Sequence, residues 1–221
     1  MIQNTQASRW DELLTEALKL IDHVNREDDL LPSSAWTFGG GTAMMLQIDH
    51  RESHDVDLFL DDPQLLGFLA GAVEQLDFDL GKPTYDGDGT RHLKIAFETI
   101  GEIDFIVAAH VTDAYSRPKE LLGRNVNLET IPEIIAKKIQ YRTRLQPRDI
   151  FDIAAASEAG YEKEIRTTLS EISQSRDAAA ESLDKVNEDF VASVISQLIL
   201  KPGFEATARN ALAVTRRLLG S

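Results

Sequence analysis

Apolar residues at Trp10, Leu13, Leu14, Ala17, Leu18, Leu20 and Ile21 recur at helical spacing and predict an amphipathic helix over residues 8–25. Ala35–Phe38 then reads as a short strand that ends in Gly39-Gly40-Gly41, followed by a short helix over Thr42–Ile48 and a strand over Asp55–Leu60. Pro63 stands where a first helical turn tolerates it, and a helix is predicted from there to about Leu76. Residues 81–90, GKPTYDGDGT, read as a turn-rich loop, with paired strands on either side, one from Phe78 and one over His92–Phe97. Ile103–Ala108 is a further strand, separated from the previous one at Gly101. After Ser116-Arg117-Pro118 the spacing becomes helical almost to the end, with segments near 132–145, 148–158, 184–200 and 204–219. Strands first and helices afterwards predict an α+β core followed by a helical C-terminal region, divided as 1–120 and 121–221.

A chain of 221 residues is long enough for such a core with a helical appendage. No apolar run approaches the ~18 residues that span a bilayer. The stretch MIQNTQASRW lacks the charged-then-apolar pattern of a secretory signal. The absence of cysteine excludes disulfides, thiolate zinc sites and a cysteine nucleophile, and fits a cytoplasmic location. A formal charge of −14 argues against a nucleic-acid partner, but the charge is uneven. Residues 1–116 hold 22 acidic and 7 basic side chains, whereas residues 117–148 hold 3 acidic and 8 basic. That basic segment is either a local polyanion site or the complement of the acidic face.

The chemistry is concentrated in residues 38–60, FGGGTAMMLQIDHRESHDVDLFL. Glycines let backbone amides approach an anion, and the helix that follows adds its positive N-terminal end. A tight connection is the other reading of this turn. It does not fit the Walker pattern, because no Lys-Ser/Thr follows, and Met44 stands where the dinucleotide fingerprint needs its third glycine. Side chains alternate along a strand, so Asp55 and Asp57 project from one side while Val56 and Leu58 point into a core. Two adjacent carboxylates repel unless a cation or proton lies between them, and beside a phosphate-cradling turn the natural cation is Mg²⁺ carrying a nucleoside triphosphate. Asp104 stands alone in the apolar run Ile103–Val107. If the two strands are neighbours, it joins Asp55 and Asp57 in a site for two hard cations, which clamp the attacking and leaving oxygens of phosphoryl chemistry.

The helix near 132–145 supplies the opposite charge. Ile131, Ile135, Lys138, Ile139 and Arg142 fall on one face at 100° per residue, while Lys137 points away. Lys138 and Arg142 need an anionic partner, either a triphosphate or the acidic strand face. Arg148 and Asp152 have the i,i+4 spacing of a helix-stabilising ion pair. His50 and His54 share that spacing, but a loop position without a third ligand argues against zinc. Ser33, Ser34 and Ser53 carry no nucleophile motif.

Taken in order, Gly40-Gly41-Thr42, Arg51-Glu52-Ser53-His54-Asp55-Val56-Asp57, Asp104, the Lys138 helix and Arg148-Asp149-Ile150-Phe151-Asp152 resemble the AbiEii/AbiGii-type nucleotidyltransferase toxins. Those belong to the polymerase-β-like nucleotidyltransferase superfamily. The resemblance implies a mixed sheet flanked by helices, with metal-dependent transfer of a nucleotide from an NTP and, often, neutralisation by a cognate antitoxin. Some members of this kind add nucleotides to the 3′ end of tRNA. Carried over by residue, Gly40, Gly41 and Thr42 would hold the triphosphate, Asp55 and Asp57 the metal, and Asp104 would be the third carboxylate, polarising the acceptor hydroxyl. Lys138 would contact phosphates together with Arg142, and Asp152 would be a late acidic residue of the nucleotide site. Many members have Ser where this chain has Thr42, which keeps a hydroxyl; the Lys137-Lys138 doublet leaves the lysine open, and helix phase selects Lys138. The expectation is a Mg²⁺-dependent nucleotidyltransferase of a toxin–antitoxin or phage-defence system, acting on RNA, most readily tRNA, or on a protein hydroxyl. The competing readings are a catalytically inactive nucleotide- or partner-binding module on the same fold, and an acidic protein interface that binds no nucleotide.

Overall fold

The strands are β1 (Trp36–Gly39), β2 (Val56–Leu60), β3 (Thr84–Gly87), β4 (His92–Phe97), β5 (Gly101–Val107), β6 (Ser116–Leu121) and β7 (Arg124–Glu129). The computed structural model describes residues 7–26, 28–142 and 144–220. Within them the strands make one mixed sheet in the order β3-β4-β5-β2-β1-β7-β6. Residues 1–6, the start of the stretch read for a signal, lie outside the described residues. No helix among those described is long and apolar enough to cross a membrane.

Alternation decides which way the sheet faces. Val56, Leu58 and Leu60 on β2 are fully buried, as are Ile103 and Phe105 on β5 and Phe38 on β1. They pack beneath α1 (Trp10–Val24) and α3 (Leu65–Val73), whose Leu13, Leu14, Leu66 and Leu69 are themselves at or near zero exposure. Each such side chain contributes roughly 1.5–3 kcal/mol through burial. The residues between them, Asp57, Phe59, Asp104 and Ile106, face the other way and are only half-buried. On that side stand α2 (Gly40–Ile48), α4 (Ile131–Tyr141) and α5 (Pro147–Ala156).

The helical end of the chain then closes back on the sheet. After α6 (Glu162–Glu171) and α7 (Ser173–Leu183) come α8 (Glu188–Ile195) and α9 (Glu205–Leu219), with α9 packed along α5. The connection between α8 and α9 makes a β-bridge from Leu200 to Arg51. Backbone bonds flank it, Glu52 N–H to Ile199 C=O at 2.8 Å and Lys201 N–H to His50 C=O at 3.1 Å.

Three expectations need correction. Residues 84–87, read as loop, form β3, and no strand begins at Phe78. Residues 116–129, read as the onset of the helical region, are the β6–β7 hairpin, so that region begins only after Thr130. Four of the six β6 residues are exposed, so its sequence SRPKEL shows no apolar alternation. Its two-residue turn, Leu122-Gly123, has φ of 52° and 75°, a primed turn whose usual Asn-Gly or Asp-Gly cue is missing. Lastly, α4 is buried on several sides between the sheet, α2, α5, α6 and α7, so Lys137 does not point away to solvent.

Candidate active site

Asp57 and Asp104 are register partners on parallel neighbours, so both carboxylates stand on the same face of the sheet. Asp55 lies just before β2, where its Oδ1 accepts the Glu102 N–H at 3.2 Å. Burial pushes the Asp57 carboxyl up, and the Asp55 charge adds to it, while Lys138, Arg148 and Arg142 pull it back. Asp104 is pushed up to about 6, by burial first and by Asp57 second. Lys94, its register partner on β4, brings an ammonium within 3.7 Å of Asp104 and bonds Glu102 as well. Carboxylates held against their own charge in this way are a donor set that a hard, oxygen-seeking cation fits.

The glycine turn lies directly against these acids. At φ 68°, Gly40 occupies left-handed backbone, and a Cβ there would stand 1.8 Å from Asp57 Oδ2. Only glycine brings the α2 N-terminus this close to the carboxylate. Gly40→Ala is expected to cost about 1–3 kcal/mol of stability through backbone strain. It should also displace Asp57, so that activity falls further than a denaturation midpoint alone accounts for; a variant as active as wild type would sever the turn from the site. Beside it, Gly41 leaves room for Arg51 Nη2 and Ser53 Oγ, each 2.8 Å from where its Cβ would be. Thr42 is different: its fully buried hydroxyl donates to the Asp55 carbonyl and fixes the entry to β2, away from the cleft.

Across the cleft the cations are organised by two buried aspartates on α5. Lys138 Nζ lies 2.7 Å from Asp149 Oδ1 and 3.0 Å from Asp152 Oδ2. Arg142 reaches Asp149 Oδ2 at 3.2 Å. Arg51 grips Asp152 with a two-pronged fork at 2.7 and 3.0 Å, and His50 Nε2 sits 2.9 Å from the same carboxylate. Although burial opposes it, Arg51 and Lys138 hold the Asp152 carboxyl well below the usual carboxylate range. Asp152 therefore does not face the cleft; it positions the cations that do. The expected Arg148–Asp152 pair does not form, and Arg148 is exposed on the cleft wall without an ion-pair partner among the described residues. Arg51 and Arg148 were present in the motif runs, but sequence spacing alone assigned neither to this wall.

Lys137 is spent elsewhere. Its ammonium bonds Glu129 at 2.6 Å, lies 3.7 Å from Glu133 and sits 4.1 Å over the Phe59 ring. His110, Glu129 and Glu133 bring possible ligand atoms within 4.8 Å of one another, and Lys137 already supplies positive charge to that group. Burial raises the Glu129 carboxyl to about 7, with Lys137 opposing.

These walls enclose a cleft of about 1370 Å³. Gly40, Gly41, Asp55, Asp57 and Asp104 line one side, and Lys138, Arg142 and Arg148 the other. A floor of carboxylates beneath a helix N-terminus, faced by cations, has a charge pattern that a polyphosphate with a metal would fit. Among solved structures, MenT4, a nucleotidyltransferase toxin from Mycobacterium tuberculosis, is similar with a TM-score of 0.56 at 16% identity, over 99% of this chain and 87% of that one. A Helicobacter pylori protein described as a nucleotidyltransferase gives 0.51 at 17% identity over 96% of each chain. JHP933 from Helicobacter pylori gives 0.50 at 16% identity, over 97% and 94%. No curated protein matches by sequence. At such identities these likenesses speak for the nucleotidyltransferase fold. The family described as nucleotidyl transferase AbiEii toxin, type IV TA system, matches residues 28–216, and with most of its length so matched the chain belongs to the AbiEii nucleotidyltransferase toxin family.

Proposed function

We propose that the protein transfers a nucleotide from an NTP to an acceptor hydroxyl, with Asp55, Asp57 and Asp104 as its metal-binding and catalytic carboxylates. The observation that carries this reading is the Asp57–Asp104 register pair lying under the Gly40 turn. When bound there, Mg²⁺ would supply charge neutralisation at the α-phosphate and hold it in line with the acceptor oxygen. The backbone amides after Gly40 and Gly41 take the β- and γ-phosphates, with Lys138, Arg142, Arg51 and Arg148 at the far end of the chain of charge. A bond forms from the acceptor oxygen to the α-phosphorus, and the bond from α-phosphorus to the bridging oxygen breaks. Pyrophosphate leaves with that electron pair, and Asp104, which polarises the acceptor hydroxyl, takes its proton. Residues 1–120 thus contribute turn and carboxylates, and residues 121–221 complete the nucleotide site with Lys138, Arg142 and Arg148.

The acceptor in this reading is RNA, a tRNA 3′ end above all, or a protein hydroxyl. The setting is a cytoplasmic toxin–antitoxin or phage-defence pair with a cognate antitoxin. Incubation with each labelled NTP, Mg²⁺ and total RNA or lysate tests it; label on a polymer supports the reading, and none with any NTP rejects it. Arg148→Ala separates binding from stability, because this side chain is exposed and has no ion-pair partner among the described residues. NTP affinity should fall about tenfold, the scale of one charge-assisted hydrogen bond, at an unchanged denaturation midpoint. Unaltered affinity would remove Arg148 from the triphosphate wall.

A further inference from the structure

The cleft floor does not end at the carboxylates. One pleat further along the same strands, Phe59 and Ile106 are again register partners on the cleft face, about 7 Å beyond Asp57 and Asp104. Both are only half-buried, and the Phe59 ring carries the Lys137 ammonium over one of its faces. Opposite them α4 presents Tyr141, with Ile134 and Ala108 lining the slot from almost fully buried positions. Tyr141 is 50% exposed, and its hydroxyl donates to the Ala109 carbonyl at 3.1 Å, which lays the ring across the end of the slot. An apolar slot opening onto a row of carboxylates is unlike the rest of this cleft.

The sheet order says which reactant meets the slot. The Gly40 turn lies on the β1 side of Asp57, whereas Asp104 and Ile106 lie on β5, with β4 beyond. In an in-line displacement the leaving and attacking groups occupy opposite ends of the reacting phosphorus. With the leaving pyrophosphate on the turn and the α4–α5 cations, the attacking hydroxyl comes from the Asp104 side. On that side Arg91, just before β4, is exposed at the cleft, and its guanidinium pairs with no carboxylate among the described residues, so it can meet an acceptor phosphate.

We propose that the slot formed by Phe59, Ile106 and Tyr141 binds the base of the acceptor's terminal nucleoside. Its hydroxyl then falls at Asp104 and its 5′-phosphate toward Arg91. The proposal deepens the nucleotidyltransferase reading and rests on it. Flat rings suit such a slot because every base has an apolar face that stacks without regard to sequence.

Saturation-transfer NMR on the full chain tests this, with the four ribonucleosides as probes. A nucleoside carries no phosphate, so neither the metal site nor the cation wall holds it. Wild type should transfer saturation to base protons more strongly than to ribose protons. Affinity should fall at least tenfold in Ile106→Ser and in Tyr141→Ala, and stay unchanged in Arg148→Ala. Tyr141 is half exposed, so its variant folds even where the Ile106 change weakens the sheet. A non-hydrolysable NTP analogue with Mg²⁺ should leave the nucleoside bound. Displacement by the analogue would make the slot the donor's and overturn the proposal, as would no nucleoside binding, or binding indifferent to both slot variants. Nucleoside binding without any labelled polymer would retain the slot and reject the transfer reading. Labelled polymer with nucleoside binding indifferent to the variants would do the reverse.

Discussion

Asp57→Ala should fold and lose transfer activity by at least about a thousandfold, the rate equivalent of roughly 4 kcal/mol of transition-state stabilisation. Any growth toxicity should go with it. Burial and Asp55 push the Asp57 carboxyl up, so the folded chain already opposes that charge. Asp104, at about 6 against an ordinary 3.8, keeps protons in the folded state that the unfolded state has released. Stability of the metal-free protein should therefore fall as pH rises from about 4 to 6, by up to about 3 kcal/mol from this carboxyl. Glu129, at about 7, extends the decline toward neutrality. Asp57→Ala removes a charge that raises Asp104 and should flatten the part below pH 6, leaving the Glu129 part in place. Urea denaturation at pH 4, 5, 6 and 7 in EDTA measures both slopes. An unfolded variant would make the pair structural, and one as active as wild type would remove Asp57 from the catalytic carboxylates.

Asp152→Ala should behave in the opposite way. Its carboxylate is fully buried among Arg51, Lys138 and His50. Removing it leaves two buried cations with less compensation, a change that costs about 3–5 kcal/mol. Because its carboxyl is depressed, the stability it contributes is present above pH ~4 and is lost only in strong acid. The urea midpoint of Asp152→Ala should thus drop sharply at pH 7 while that of Asp57→Ala does not. Equal midpoints for Asp152→Ala and wild type would mean that Arg51 and Lys138 are held by something else.

The difference between these two aspartates marks what sequence can and cannot tell. Asp55, Asp57 and Asp104 were legible because strand periodicity fixes the face of a side chain, and a lone carboxylate in an apolar run demands a partner. Gly40 was legible as a turn, but its contact with Asp57 depends on how β1 pairs with β2. Asp152 reads as an i,i+4 partner of Arg148 because spacing reports only neighbours along the chain. Its actual partners Arg51 and His50 are a hundred positions away. Lys137 misleads for a related reason: helix phase locates solvent only where a helix has one packed side, and α4 is packed on several. The β6–β7 hairpin escaped because an exposed edge with a Leu-Gly turn carries neither alternation nor the usual turn residues.

Leu200 is synthesised long after the Arg51 to which it is bridged. At ~5–20 residues per second, ribosomes carry the finished run of acids for on the order of ten seconds before that strap exists. Asp152, the anchor for Arg51 and His50, emerges late, and Phe204, which packs edge-on against the His50 ring, emerges later still. The Arg51 side of the cleft thus takes its form only once α5 and the α8–α9 connection have been made. A chain cut short before Leu200 would lack both the strand bridge on Arg51 and the Phe204 ring that packs against His50.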